Sequence, residues 1–356
     1  MESDPPFDAK VWNRLGSELG VLGLSASADP ALDGVGGSLV DQAVAVEEFG
    51  ASLACGPLFG TVYLAIPALV ACSAGAVRDR LLTELVEGAR TAAFAVTDVA
   101  GAFDPAAVTV TAAGGDHDVL SGTIPRVVDG GAADELLVAA SRSDGIGLYA
   151  VDATQPGVGR TTLTTMDLTR PQATITLSDA AGRLVAGPDE APRVIGHALQ
   201  VGSALLAVEQ VGAAQHLLDL AVDYAKSRLQ FGRQIGSFQA VKHRLADMLV
   251  DLEHARSTAY HAAWALTDGS DDPALAVSIA QATTSAALSR IAADTVQVHG
   301  GIGFTWEHQA HLYFKRATTD AALLGSAEQH RSRVAEIVLA QASADGAIRV
   351  ADGLPA

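Results

Sequence analysis

Arg228, Gln297 and the glycines at 300, 301 and 303 are residues whose types and spacing point to ligand chemistry. Arg228 closes a long apolar-periodic segment, and a guanidinium at a helix end offers a planar fork for two oxygens of one anion. Gln297 can both donate and accept a hydrogen bond. The glycines that follow it end a helix and let backbone N–H groups approach a ligand without a Cβ in the way. A helix-capping cation and a plain turn account for the same residues, so spacing alone leaves both readings open. For proton transfer, Glu209 stands out among Leu205, Leu206, Ala207 and Val208. A carboxylate in such surroundings is expected to be buried and shifted, as a general base would be. A buried Glu paired with a cation from another helix, such as Arg244 or His243, explains the same pattern. His299, His308, His311 and His330 show no metal-ligand spacing, so hydrogen-bonding or solvated roles are expected and no metal. Trp264, Phe304 and Trp306 read as packing residues.

These residues need elements to hold them, and three textures follow one another. Residues 7–90 carry apolar positions at three- and four-residue spacing, with Ser38 or Asp41 placed to cap a helix after the loop at 29–37. From 91 to 194, short β-rich runs (92–96, 108–111, 135–139, 146–151, 173–177) alternate with Gly/Asp turns, predicting an antiparallel barrel or sandwich. Helical periodicity then covers 194–226, 238–267, 274–298 and 328–342, which predicts a four-helix bundle. The expected class is α+β: an N-terminal helical domain (1–91), a central β-domain (92–192), a C-terminal helical bundle (193–345) and a loose tail (346–356).

The 356 residues are 49% apolar and 18% charged, a globular composition with ample chain for a core. Against 23 Lys and Arg stand 41 Asp and Glu, a net charge of −18. Such a surface repels nucleic-acid backbones and anionic lipids, so no nucleic acid and no membrane are expected as partners, and an anionic ligand needs a local basic pocket. Cys55 and Cys72 read as two buried free thiols in a reducing cytosol, and no targeting segment is evident at the N-terminus, so a cytoplasmic location is expected.

Two segments are more specific than any of this: Tyr224-Ala225-Lys226-Ser227-Arg228-Leu229-Gln230-Phe231-Gly232-Arg233-Gln234-Ile235-Gly236-Ser237-Phe238-Gln239, and Gln297-Val298-His299-Gly300-Gly301-Ile302-Gly303-Phe304. Together, and in this order after a helical and a β-rich part, they resemble the acyl-CoA dehydrogenase family across essentially the whole chain. The resemblance implies FAD as cofactor, an acyl-CoA substrate, an electron-transfer acceptor and α,β-desaturation, with a proton leaving Cα and hydride passing from Cβ to the flavin. It implies FAD contacts at Arg228, Gln230, Phe231, Gln239, Gln297, Gly300 and Gly301, made to the flavin of a neighbouring subunit in a tetramer. Thr97, in Val96-Thr97-Asp98, is a candidate hydroxyl for this chain's own flavin ring.

The sequence departs from the family at the ring and at the base. The segment Ile124-Pro125-Arg126-Val127-Val128 carries Arg126 and Val128 where the family has an aromatic and a threonine. Leu324 stands where most of the family has its catalytic glutamate, and Gly202 where one branch has it; Ser203 replaces a substrate-side arginine. Asp320, Glu307 and Glu328 lie nearby but read as supports, so no catalytic residue is assigned. Three functions remain open from sequence. One is an FAD-dependent acyl-CoA dehydrogenase with an unusual base. A second resembles the short, base-lacking subunits of actinobacterial α2β2 heterotetrameric acyl-CoA dehydrogenases. The third is a flavin desaturase with a self-activating substrate.

Overall fold

A computed structural model describes residues 6–26, 28–32, 37–114, 118–269 and 271–344. The C-terminal segment 346–356, residues 33–36 of the first loop and parts of two predicted turns lie outside the described residues. The N-terminal part holds α1 (Ala9–Ser17), α2 (Leu39–Ala51), a fully buried π-helical segment (Leu58–Ala65), α3 (Ile66–Ala71) and α4 (Ala76–Val86). Ser38 caps α2, its Oγ accepting the Asp41 N–H at 3.3 Å. Pro67 sits where the π-helical segment passes into α3, at the change of helical pitch. Cys72 is buried but Cys55 is exposed, in the loop after α2, which corrects the expectation of two buried thiols.

The central part is built of β1 (Ala92–Ala95), β2 (Asp98–Val99), β3 (Ala102–Phe103), β4 (Val110–Gly114), β5 (Asp118–Val128), β6 (Glu135–Arg142), β7 (Gly145–Asp152), β8 (Val158–Thr162) and β9 (Gln172–Ala186). Seven strands form one sheet in the order β1-β6-β4-β5-β9-β7, with β8 on β9 and β6 closing onto β7. Most pairings are antiparallel, as expected, but β1 runs parallel to β6. β2 and β3 form a separate hairpin.

The C-terminal part opens with α5 (Ala191–Ser227), followed by the two-stranded hairpin β10 (Leu229–Gln230) and β11 (Arg233–Gln234), then α6 (Gln239–Asp268) and α7 (Pro273–His299). α8 (Ala310–Asp320) and α9 (Ala327–Ala344) complete it. Sequence periodicity found the four long helices to within a few residues but missed α8. α5 is the spine of the molecule: α2, α3, α6 and α7 all pack on it, and its middle, 201–214, is buried throughout.

Where the three parts meet, the core is ionic. Arg170, from the loop before β9, donates to Glu209 of α5 at 2.7 Å, and Arg316 of α8 also bonds Glu209. Arg316 reaches back to Asp167 (3.1 Å) and to the Thr169 carbonyl (2.9 Å), while Arg170 faces Asp320 at 3.2 Å. All five charged groups are buried. Burial alone would raise Glu209, but the two guanidiniums outweigh it and hold the carboxyl at about 2. Glu209 is thus a fixed anion with no role as a base. Its partners are Arg170 and Arg316, not the Arg244 or His243 expected from the sequence; Arg244 pairs with Asp294 on α7. Asp320 is the third carboxylate for two cations, and neither of its oxygens accepts a hydrogen bond. Burial pushes it up to about 7; Arg170 pulls it back and Glu209 pushes with burial.

Two stability effects of opposite sign are expected. Glu209→Gln leaves two buried guanidiniums short of an anion and is expected to cost about 3–5 kcal/mol in a denaturant melt. Asp320 ionises more readily unfolded than folded, so it costs stability as pH rises from its ordinary range through 7. Asp320→Asn is therefore expected to raise the melting temperature at pH 8, with the gain shrinking toward pH 5; an equal gain at both pH values would refute the assignment.

Candidate dinucleotide clamp and reaction cavity

α5 and α7 run in the same direction, so their C-terminal ends lie at one end of the bundle, beside the start of α6. The Arg228 N–H donates to the Tyr224 carbonyl at 2.8 Å, and the Tyr224 ring stacks on His299 at 4.4 Å between centroids. This contact brings the last turn of α5 against the last residue of α7. Arg228, Gln230, Phe231, Gln239, Gln297, Gly300 and Gly301 are all exposed on the segments converging there. β10 and β11 carry Gln230 and Arg233, and the Arg233 guanidinium lies over Phe238 at 4.0 Å, tying the hairpin to the start of α6.

Three features mark this end as facing something outside the chain. Arg228 has no carboxylate partner among the described residues, in a protein with an excess of carboxylates. Gly300 adopts φ 64° and ψ −142°, which a residue with a Cβ resists, while a Cβ on Gly300 or Gly301 would meet nothing within 4 Å. Internal packing therefore does not call for both glycines. Third, Phe231 is 91% exposed, Phe304 76% and Trp306 72%. Phe304, Trp306 and Trp264 are thus not core residues: all three are mostly exposed, with Lys315 over the Trp306 ring at 4.4 Å and Trp264 donating to Asp268 at 3.1 Å. The residues fit one end of a dinucleotide: a free planar cation, amide side chains and an uncrowded glycine turn.

The other candidate site lies between the β-domain and the helices. A cavity of about 60 Å³ is bounded by Phe59, Leu64, Phe94 and Leu199, by Asp98 and Arg126, and by Leu323 and Leu324. Val96 and Asp98 line it but the intervening Thr97 does not, since an extended chain turns alternate residues to opposite sides. Arg126 comes from a break in the β5–β9 register between Ile124 and Val127, at φ 55°. That volume holds a few waters and no fused three-ring system. At the first expected base position Leu324 lines the cavity as a hydrocarbon. At the second, Gly202 offers no carboxylate, and a Cβ there would lie 2.5 Å from the end of the Leu64 side chain, which would have to shift.

A seam separates this cavity from a cleft of about 500 Å³ walled by the β2–β3 hairpin, α5, α7 and α9. Gly101 presses on the Leu324 carbonyl so closely that a Cβ there would lie 2.1 Å from the oxygen, and Gly325 packs against Ala100. His330, buried on α9, bonds the same Leu324 carbonyl at 2.8 Å. Asp98, which sequence reasoning did not single out, is the only carboxylate among the cavity's described lining; one oxygen accepts the Gly101 N–H at 2.7 Å and holds the hairpin turn. Asp320 sits in the buried cluster away from this cavity, and Glu328 is exposed with Arg331 at 3.2 Å, so neither lines it. His299 and His330 make hydrogen bonds, as expected.

Residues 192–339 match the family model "Acyl-CoA dehydrogenase, C-terminal domain". The chain is 37% identical to acyl-CoA dehydrogenase IpdE2 of Mycobacterium tuberculosis over 92% of its own length and 86% of that protein's. It resembles a chain of the ChsE4–ChsE5 complex from Mycobacterium tuberculosis with a TM-score of 0.81 and 30% identity, covering 94% of this chain and 88% of that one. Butyryl-CoA dehydrogenase from Megasphaera elsdenii shares the fold, with a TM-score of 0.85 at 24% identity over 94% of this chain and 90% of that one. With identity of that degree spread over nearly the whole length, and with the helical, β and helical parts in matching order, the chain belongs to the acyl-CoA dehydrogenase family.

Proposed function

We propose that the chain serves FAD-dependent α,β-desaturation of an acyl-CoA thioester as the subunit that completes a flavin site held mainly by a related, base-bearing partner in an α2β2 assembly. The observation that carries this reading is the contrast between the two sites. The dinucleotide clamp is open and its cation free, whereas the cavity where this chain's own ring and thioester would meet is small, about 60 Å³, and has no carboxylate at either family base position. FAD, when bound, supplies the hydride acceptor. Arg228 would take its pyrophosphate oxygens, and Gln297, Gln230 and Gln239 would hydrogen-bond its adenosine half. The Gly300–Gly301 turn would bring backbone N–H groups close to the nucleotide, and the exposed Phe231, Phe304 and Trp306 would be covered by the partner's bundle. The carboxylate that removes the Cα proton then comes from the partner. The heteromeric ChsE4–ChsE5 structure among its relatives supports such an arrangement.

The test is flavin content by absorbance together with native mass. The chain alone is expected to be colourless. Co-expressed with a family relative that carries the loop glutamate, it is expected to give a yellow α2β2 particle with about one FAD for each pair of chains. A yellow homo-oligomer that turns over acyl-CoA, and loses activity in Asp98→Asn, would instead place the base on this chain. Arg228→Gln in the assembled complex is expected to weaken FAD binding by roughly ten- to a hundredfold, the worth of a charge-assisted hydrogen bond. Because the Arg228 side chain has no ion-pair partner among the described residues, the melting temperature of the isolated subunit should not move.

A further inference from the structure

Tyr224, His299 and His308 form a stack of three rings directly beneath the clamp. The His299 ring lies 4.4 Å from Tyr224 on one side, at an interplanar angle of 29°, and 4.2 Å from His308 on the other, at 43°. Each ring belongs to a different segment. Tyr224 is one turn before Arg228; His299 ends α7, two residues after Gln297 and one before Gly300; His308 follows the 3₁₀ turn Gly300–Phe304. His299 is buried, and its Nδ1–H donates to the Thr295 carbonyl at 2.8 Å, which fixes the plane of the ring. His308 accepts the Ala310 N–H on Nδ1 at 3.2 Å, which puts its own proton on Nε2. Burial and then the neighbouring His299 and His311 push His308 below the ordinary imidazole range, so the ring is neutral at pH 7. The turn closes over the stack: a Cβ on Gly303 would lie 2.9 Å from the His299 Cβ.

The geometry assigns to His299 a positioning role: its ring, held between Tyr224 and His308, sets the distance between the Arg228 end of α5 and the Gln297–Gly301 end of α7 and so pre-forms the dinucleotide clamp. This rests on the clamp reading above. Arg228 and the glycine turn sit on different helices; Thr295 Oγ1 donates to the Leu217 carbonyl at 3.2 Å nearly two turns back, and the ring stack is the contact between the two helix ends themselves. An aromatic contact contributes modestly beyond burial, enough to bias how two helix ends sit without deciding whether the bundle folds.

The experiment uses the co-purified complex, stripped of flavin, and measures its FAD dissociation constant by flavin fluorescence, alongside native mass and the melting temperature of the isolated chain. His299→Ala is expected to weaken FAD binding about tenfold with the α2β2 mass intact. His299→Phe, which keeps the stacked ring and gives up the bond to Thr295, is expected to recover most of that loss. In the isolated chain, amide exchange across 300–304 is expected to quicken in His299→Ala and stay slow in His299→Phe. Should His299→Ala fail to fold, Tyr224→Leu and His308→Ala remove the stack from either side and are expected to weaken FAD in the same way. Wild-type affinity in His299→Ala, or in both flanking variants, would overturn the assignment. A wild-type complex that takes up no FAD would overturn the clamp itself, and the ring stack's role with it.

Discussion

A single buried carboxylate, Glu209, carries the relation between the three parts of the molecule. It sits at the middle of α5 and accepts from Arg170, which belongs to the β-sheet's last loop, and from Arg316, which belongs to α8. Buried charges cannot slide past one another as apolar side chains can, since each partial separation leaves an unpaired ion in a low-dielectric interior. The β-domain and the C-terminal helices are therefore held at one relative position, with Arg316 fixed further by Asp167 and Thr169. The π-helical segment is drawn in as well. Arg170 lies over the Phe59 ring at 5.0 Å, and the buried Asp129 carboxylate accepts the Gly60 N–H at 2.9 Å. Phe59, Gly60 and Leu64 then form the wall that keeps the reaction cavity small.

That fixed geometry explains why the two sites on this chain have such different character. The cavity lies at the junction of the domains, so a rigid junction leaves it no freedom to widen. Leucine at 324 is compatible with this closure where a glutamate would need water, a cation or a substrate as partner. The Leu324 carbonyl, pinned by His330 and pressed by Gly101, completes the seal from the side of the large cleft. The clamp lies at the far end of the bundle, where helices end and nothing from the other domains reaches. Its residues project outward and depend on their own helix ends for placement.

Much of this was legible in the sequence, and the failures have physical reasons. Long amphipathic periods placed α5, α6, α7 and α9, because a helix of that length carries its own signal. α8 was missed since its inward face holds His311, Arg316 and Asp320, polar residues buried by pairing and invisible to an apolar template. The apolar run after α2 divides into a π-helical and an α-helical piece, a distinction that composition does not encode. The burial of Glu209 was readable from its neighbours. Its partners were not, because Arg170 and Arg316 are 39 and 107 residues away in sequence. Residue type points Trp306 and Phe304 to the core, and only the fold shows that both are mostly exposed.

The glycines of the two sites separate what the chain needs for itself from what it presents outward. Gly101 is required from within: φ is 77°, and any side chain would strike the Leu324 carbonyl, so this residue is explained by the seam it closes. Gly301 has no such cause. Its surroundings are empty and no positive φ is imposed on it. A small residue in open space costs backbone entropy in folding and returns no internal contact. Gly301 shares that openness with Gly75, Gly187 and Gly196, but it alone follows a helix end beside an unpaired arginine, where the space is accessible to an approaching group. The same reasoning applies to Arg228, a cation left unpaired where carboxylates outnumber cations by 41 to 23. Both point to an anionic ligand at this end of the bundle, with the exposed aromatics beside it marking the surface where a second subunit would bring that ligand in.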